Sequence, residues 1–260
     1  MHLLFPSAPF SKIAVDEEYA GEYEAARGAG LACSVFCTQD FEEGTFVPRP
    51  AFPMGSKVIY RGWMLTPEEY TRLHDGILSK GGGPVTNPAQ YRLCHYLPEW
   101  YPQCMDCTPE TLFLSRNADF ALALSARTWP AYFVKDYVKS LTTKRGSVAA
   151  TAAEVGEIVD LIEQFRGKVE GGVCIRKYED LLPATEERYF VLNRRAYGRD
   201  SHVPPLVSEL AERIESPFFS VDIVEASDGQ LRLIELGDGQ VSSLKRWPMK
   251  AFVGMLTEAA

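Results

Sequence analysis

Residues 218–244 read FFSVDIVEASDGQLRLIELGDGQVSSL, and on this stretch the reading of the whole chain turns. Two runs of alternating apolar and polar residues flank Ser227-Asp228-Gly229, the pattern of a β-hairpin closed by a glycine turn. Carboxylates interrupt both runs: Asp222 in the first, Glu235 and Asp238 in the second. A carboxylate inside a sheet is costly unless a cation accompanies it, and a divalent metal is one such cation. Placement on a solvated face or at a strand end is the other solution, and the hairpin alone leaves both open.

The rest of the chain bounds the choice. Its 260 residues suffice for one large domain or two modest ones sharing a cleft. With 46% hydrophobic and 24% charged residues the composition is that of a globular protein. Acidic side chains number 35 against 27 basic ones, and the resulting formal charge of -8 argues against nucleic acid as a general partner. The opening MHLLFPSAPF has no basic n-region or long apolar h-region, and no apolar run approaches a membrane span, so a cytoplasmic chain without membrane association is expected. Cys94-His95 followed by Cys104-Met105-Asp106-Cys107 has the residue types of a zinc site but a single Cys-x-x-Cys, and buried thiols are the simpler reading.

Along the first ninety or so residues, HLLFPS, LACSVF and KVIY read as strands. The helical stretches VDEEYAGEYEAARGAG and TPEEYTRLHDGILSKGG alternate with them, an α/β layer with parallel strands. An aromatic and proline-rich connector near residues 90–105 marks a boundary, giving an α/β domain over 1–100 and an α+β domain with a largely antiparallel sheet over 101–260. In the second domain WPAYFVKDYV, GGVCIRKYE and ERYFVLNRRAY are expected strands, with TAAEVGEIVDLIEQFR and VPPLVSELAERIES as helices.

Lys135 sits in an otherwise apolar and aromatic strand, and a loop with Lys139, Ser140, Thr142, Lys144, Arg145, Gly146 and Ser147 follows it. Cations, hydroxyls and glycine backbone suit a triphosphate, although the Walker spacing is absent and a solvated basic turn has the same composition. Arg176 and Lys177 end the next strand, Glu179 follows, and Glu187, Arg188 and Arg195 surround the one after it. Cross-strand ion pairs would explain these charges as well. In YRGWML, Arg61 directly follows a predicted strand, where open α/β sheets bind ligands, so it reads either as a clamp for a substrate carboxylate or phosphate or as a turn residue.

Taken in order over roughly residues 130–244, YFVKDYVKS, VCIRKYEDL, EERYFVL and the hairpin resemble the ATP-grasp superfamily. The likeness is strongest to its bacterial and phage clade marked by an arginine and paired lysines. IRKYEDLLPATEERYFV is also similar to the eukaryotic cell-division-cycle family that helps assemble translation initiation factor two. The resemblance implies a pre-ATP-grasp N-terminal domain and a nucleotide-binding domain taking ATP and Mg²⁺. By that resemblance, Lys135, Lys139 and Ser140 contact the phosphates. The backbone of Arg176, Lys177 and Tyr178 holds adenine near Glu179, Glu187 orients the ribose or a basic partner, and Arg188 or Arg195 reaches the γ-phosphate. Asp222 and Glu235 match the two metal-binding acids. Where many members have an Asn two residues after the Glu, this chain has Gly237 followed by Asp238, so Asp238 or Gln240 is left to fill the third metal position. The implied activity is an ATP-dependent ligase joining the carboxylate and amine of small molecules or peptides through an acyl phosphate. The alternative is an ATP-binding assembly factor for a protein partner.

Overall fold

The computed structural model describes residues 1–141 and 143–258, so Thr142 of the expected phosphate loop lies outside the described residues. Among these, the chain forms three four-stranded sheets. The first comprises β1 (His2–Pro6), β2 (Ala32–Phe36), β3 (Lys57–Tyr60) and β4 (Gly83–Pro84), all parallel, in the order β2-β1-β3-β4. Its strands are apolar on both faces because both are covered. Leu3, Phe5 and Ile59 join a core with Phe190, Phe218 and Phe252, whereas Leu4, Val58 and Tyr60 face a second core with Leu73 and Ile77. The helix Pro67–Ser79 begins at a capping box in which Thr66 and Glu69 satisfy each other's backbone N–H, and it buries Tyr70, Leu73 and Ile77 on one stripe.

The second sheet is antiparallel, ordered β5-β8-β6-β7 from β5 (Thr111–Leu114), β6 (Tyr132–Asp136), β7 (Val148–Ala149) and β8 (Val173–Lys177). Residues opposite each other in an antiparallel pair share a face. Val134 lies opposite Ile175, and both pack on Val155, Ile158, Val159 and Ile162 of the helix Ala152–Arg166. Phe133 lies opposite Arg176 and Lys135 opposite Cys174, so strand alternation turns these four to the other face. The helix starts at Thr151, whose hydroxyl accepts from the Glu154 N–H, and stops at Gly167, which has the left-handed φ of 77° that ends many helices.

The third sheet has the order β10-β9-β11-β12, built from β9 (Glu187–Leu192), β10 (Arg195–Tyr197), β11 (Phe218–Glu225) and β12 (Leu231–Asp238). The last two are the expected hairpin, with the Ala226 N–H donating to the Gln230 carbonyl and Gly229 taking φ 82° at the turn. The chain is thus an α/β part with a parallel sheet followed by an α+β part rich in antiparallel pairing. No described helix is long and apolar enough to cross a membrane.

Compact units do not follow chain order. One comprises Met1–Cys94, Arg188–Val221 and Gly237–Ala260, and the other comprises His95–Glu187 and Asp222–Leu236. The first crossing falls inside the expected 90–105 connector, but a single cut at 100/101 misses the two returns to the first unit. Those returns carry Phe190, Phe218 and Phe252, whose burial beside Leu3, Phe5 and Ile59 completes that core.

Candidate functional site

Within the second unit lies a cleft of about 400 Å³, a size suited to a small-molecule ligand. Lys135, Ser140, Arg176, Lys177, Tyr178, Glu179, Asp222 and Glu235 all line it, together with the apolar side chains of Phe133, Val148, Val224 and Ile234. Lys135 is 5% exposed and Asp222 2%. The ammonium of Lys135 lies 3.4 Å from Oε1 of Glu235. Cations from the middle of the chain and acids from its last hairpin therefore meet in one place.

Local folding explains each position. Lys135 faces the cleft because Val134 and Ile175 on the opposite face of the sheet are claimed by the helix Ala152–Arg166. Along β12, Leu233 and Leu236 are buried while Ile234 and Glu235 between them both line the cleft, which interrupts the strand's alternation. A strict period-two reading of LRLIELGD would not put both residues there.

Arg176 is the most constrained cation of the cleft. One terminal nitrogen donates to the Ile234 carbonyl at 2.8 Å and the other to Oγ1 of Thr108 at 2.7 Å, while its Nε is buried without a protein acceptor. Burial pulls its pKa down to about 10, with Cys174, Glu235 and Glu179 opposing, so it remains a cation at neutral pH. Glu179 is held by Arg232 in a two-point ion pair, 2.7 Å on each arm.

The backbone groups expected to hold adenine are partly spent. The Lys177 N–H donates to the Glu110 carbonyl at 2.7 Å and the Tyr178 N–H to the Ala131 carbonyl at 3.0 Å. Among the described residues, Glu179 supplies the first backbone N–H after β8 with no protein acceptor. Lys139 is exposed and outside the cleft lining, whereas Ser140 bridges back to Lys135 and lines it. Sequence reasoning missed Asp136, fully buried directly behind Lys135, whose carboxylate accepts from the Val138 and Lys139 N–H groups. Its signal was an acid in an apolar strand one position out of phase with the lysine.

A further six expected site residues fall outside this cleft lining. Arg61 is no substrate clamp: all five of its N–H donors are consumed, by the carboxylate of Glu22 and the carbonyls of Gly239 and Ser242. It is 1% exposed and serves the core. Asp238 and Gln240 are equally buried and outside the cleft lining, with Oδ1 of Asp238 accepting from the backbone and side-chain N–H groups of Gln240 while its Oδ2 is buried without a protein donor. Burial drives the Asp238 pKa up to about 7 against the hydrogen bonds from Gln240 and the charge of Arg61. Arg188 donates to the carbonyl of Ser243, and Arg195 pairs with Glu258 while lying over the ring of Tyr197. Glu187 opens β9, and it is its neighbour Glu186 that lines the cleft. All six cysteines are buried free thiols.

Comparison with known proteins bears on the same elements. The model for family 3 of the ATP-grasp domain clade marked by one arginine and two lysines matches residues 109–256. The fold is similar to that of D-cycloserine synthetase DcsG, with a TM-score of 0.64 and 16% identity over 99% of both chains. It is similar to the RimK domain protein ATP-grasp from Sphaerobacter thermophilus, with a TM-score of 0.60 and 15% identity over 100% of this chain and 99% of that one. It is also similar to the ATP-grasp ligase PsnB, solved with a phosphomimetic variant of its minimal precursor, Mg and ADP. There the TM-score is 0.62 and the identity 15%, over 99% of this chain and 98% of the other. No curated protein matches the sequence.

Proposed function

The chain belongs to the ATP-grasp superfamily, in family 3 of its arginine-and-paired-lysine clade, and from that premise we propose that it is an ATP-dependent ligase joining a carboxylate to an amine. The observation that carries the reading is the convergence of Lys135, Asp222 and Glu235 on one cleft with a buried arginine at its wall. The donor set suits Mg²⁺: two carboxylates supply hard oxygen ligands, and the unsatisfied Nε of Arg176 is a buried donor awaiting an anionic acceptor. Asp222 and Glu235 would hold the metal, which when bound offsets phosphate charge and orients the oxygens.

Lys135 would give up its contact with Glu235 and turn to the phosphates, stabilising charge as the γ-phosphoryl group leaves ADP. The acceptor carboxylate attacks phosphorus, and the acyl phosphate that results is consumed when an amine displaces phosphate. No protein nucleophile is required, which agrees with six thiols buried away from solvent. Phe133, Val148, Val224 and Ile234 offer apolar surface for a base, with the Glu179 N–H at hand for its edge. Peptide carboxylates are included among the substrates on the strength of PsnB, which was solved with a precursor.

Supplying pools of acids and amines and following ADP release tests the reading. Turnover should rise only when a productive acid and amine are both present, and mass spectrometry of the product should show their condensation. An alternative, a nucleotide-dependent assembly factor, draws on Phe10 and Ile13, which are 92% and 74% exposed. It predicts negligible ADP release with every pair and a stable complex with another protein.

A further inference from the structure

We infer that Asp136 is a positioning residue that sets the phosphate-facing loop from behind the sheet, an inference that rests on the cleft being a nucleotide site. Lys135 and Asp136 are consecutive in β6 and therefore point to opposite faces. The lysine faces the cleft, and the aspartate, with no exposed surface, faces the side of the helix Ala152–Arg166.

Both oxygens of that carboxylate are fully used, one within the chain reversal that follows Lys135 and the other on groups outside it. Oδ1 accepts from the Val138 N–H at 2.7 Å and the Lys139 N–H at 2.6 Å. Oδ2 accepts from the Glu170 N–H at 3.2 Å and from the guanidinium of Arg166, the last residue of the helix. The Asp136 N–H in turn donates to the Lys139 carbonyl at 3.0 Å, and the Tyr137 N–H to the Glu170 carbonyl at 3.2 Å. The turn delivers Ser140 beside Lys135, where the two form an isolated bridge and both line the cleft.

A buried carboxylate with four donors, one of them an arginine, is an expensive way to close a turn, since glycine or asparagine closes turns without burying charge. What the charge adds is attachment. It ties the segment between Lys135 and Ser140 to two separate places, the end of the helix and the backbone at Glu170, so that the loop cannot drift independently of the sheet. Arg166 is required in this arrangement as the counter-charge of Asp136, and its side chain is 31% exposed, so replacing it leaves no large cavity.

The test uses the full chain and measures binding by calorimetry with Mg·AMPPNP and with AMP, which lacks the β- and γ-phosphates. In Asp136→Asn the side-chain amide puts a donor where Oδ2 accepted two, so the attachment fails while the turn's own acceptor survives. Arg166→Gln weakens the same attachment from the exposed side, and Arg166→Lys restores a charge. Affinity for Mg·AMPPNP should fall about ten-fold or more in Asp136→Asn and in Arg166→Gln, the scale of one or two lost charge-assisted hydrogen bonds. AMP affinity should stay as in the wild type, and Arg166→Lys should recover most of the loss. Should Asp136→Asn not fold, the two Arg166 variants decide alone. Unchanged Mg·AMPPNP affinity in folded variants, or an equal loss for both ligands, would overturn the role of Asp136. A wild-type chain that binds neither ligand would instead overturn the nucleotide site itself.

Discussion

At Lys135 a cation that is costly to bury alone stands 3.4 Å from Glu235, in a cleft that Asp222 also lines. A ligand that binds only the folded state raises stability by mass action, about 2.7 kcal/mol at one hundred times its dissociation constant. Lys135→Ala should therefore erase most of the melting-temperature rise that Mg·ATP gives the wild type, as read by thermal denaturation; an equal rise in both would remove Lys135 from the site. Arg61 gives the opposite expectation. Truncating it leaves Glu22 buried and unpaired, so Arg61→Ala should lose roughly 3–5 kcal/mol in denaturant unfolding, with the nucleotide affinity of the remaining folded protein unchanged. Sequence placed Arg61 correctly after a strand but not in its role, because Glu22, Gly239 and Ser242 meet it only through the fold. For Lys135, Asp222 and Glu235 the cost of burying charge raised the question but left a solvated face open, and only the resemblance to the ATP-grasp superfamily grouped them into one expected site.

Among the elements, the strands and long helices were readable wherever periodicity and caps agreed. TAAEVGEIVDLIEQFR carries its own start at Thr151 and its apolar stripe at Val155, Ile158, Val159 and Ile162, and these are the residues that brace β6 and β8. Replacing Thr151 by Ala should cost about 1 kcal/mol of stability through the lost cap, checked by chemical denaturation, and should leave nucleotide affinity alone. The illegible parts have local causes. β12 interrupts its alternation at Ile234 and Glu235, and the backbone N–H groups of Lys177 and Tyr178, expected to meet adenine, are claimed by the carbonyls of Glu110 and Ala131. Neither partner carbonyl is visible in a linear pattern, since side-chain chemistry does not announce which backbone acceptors a fold will bring.

For the whole molecule, the second return of the chain to the first unit puts Asp238 in a buried setting with Gln240, which donates to Tyr70. Its pKa rises from 3.8 to about 7 because burial disfavours the charged form. The folded state thus holds this proton more tightly than the unfolded one. The associated stability is complete below about pH 4, is lost as pH climbs toward 7, and changes no further above that. Asp238→Asn removes the titration, so its melting temperature relative to wild type should improve steadily between pH 4 and 7 and level off beyond; a constant difference across that range would contradict the buried titration. On the proposed function, basic groups of the middle chain and the two acids of the last hairpin would hold a metal-complexed triphosphate in one cleft. Calorimetric titration of AMPPNP with and without Mg²⁺, into wild type and into the double variant Asp222→Asn, Glu235→Gln, tests it most directly. Mg²⁺ should strengthen binding to the wild type and have no effect on the double variant, whereas the same Mg²⁺ enhancement in both would contradict it.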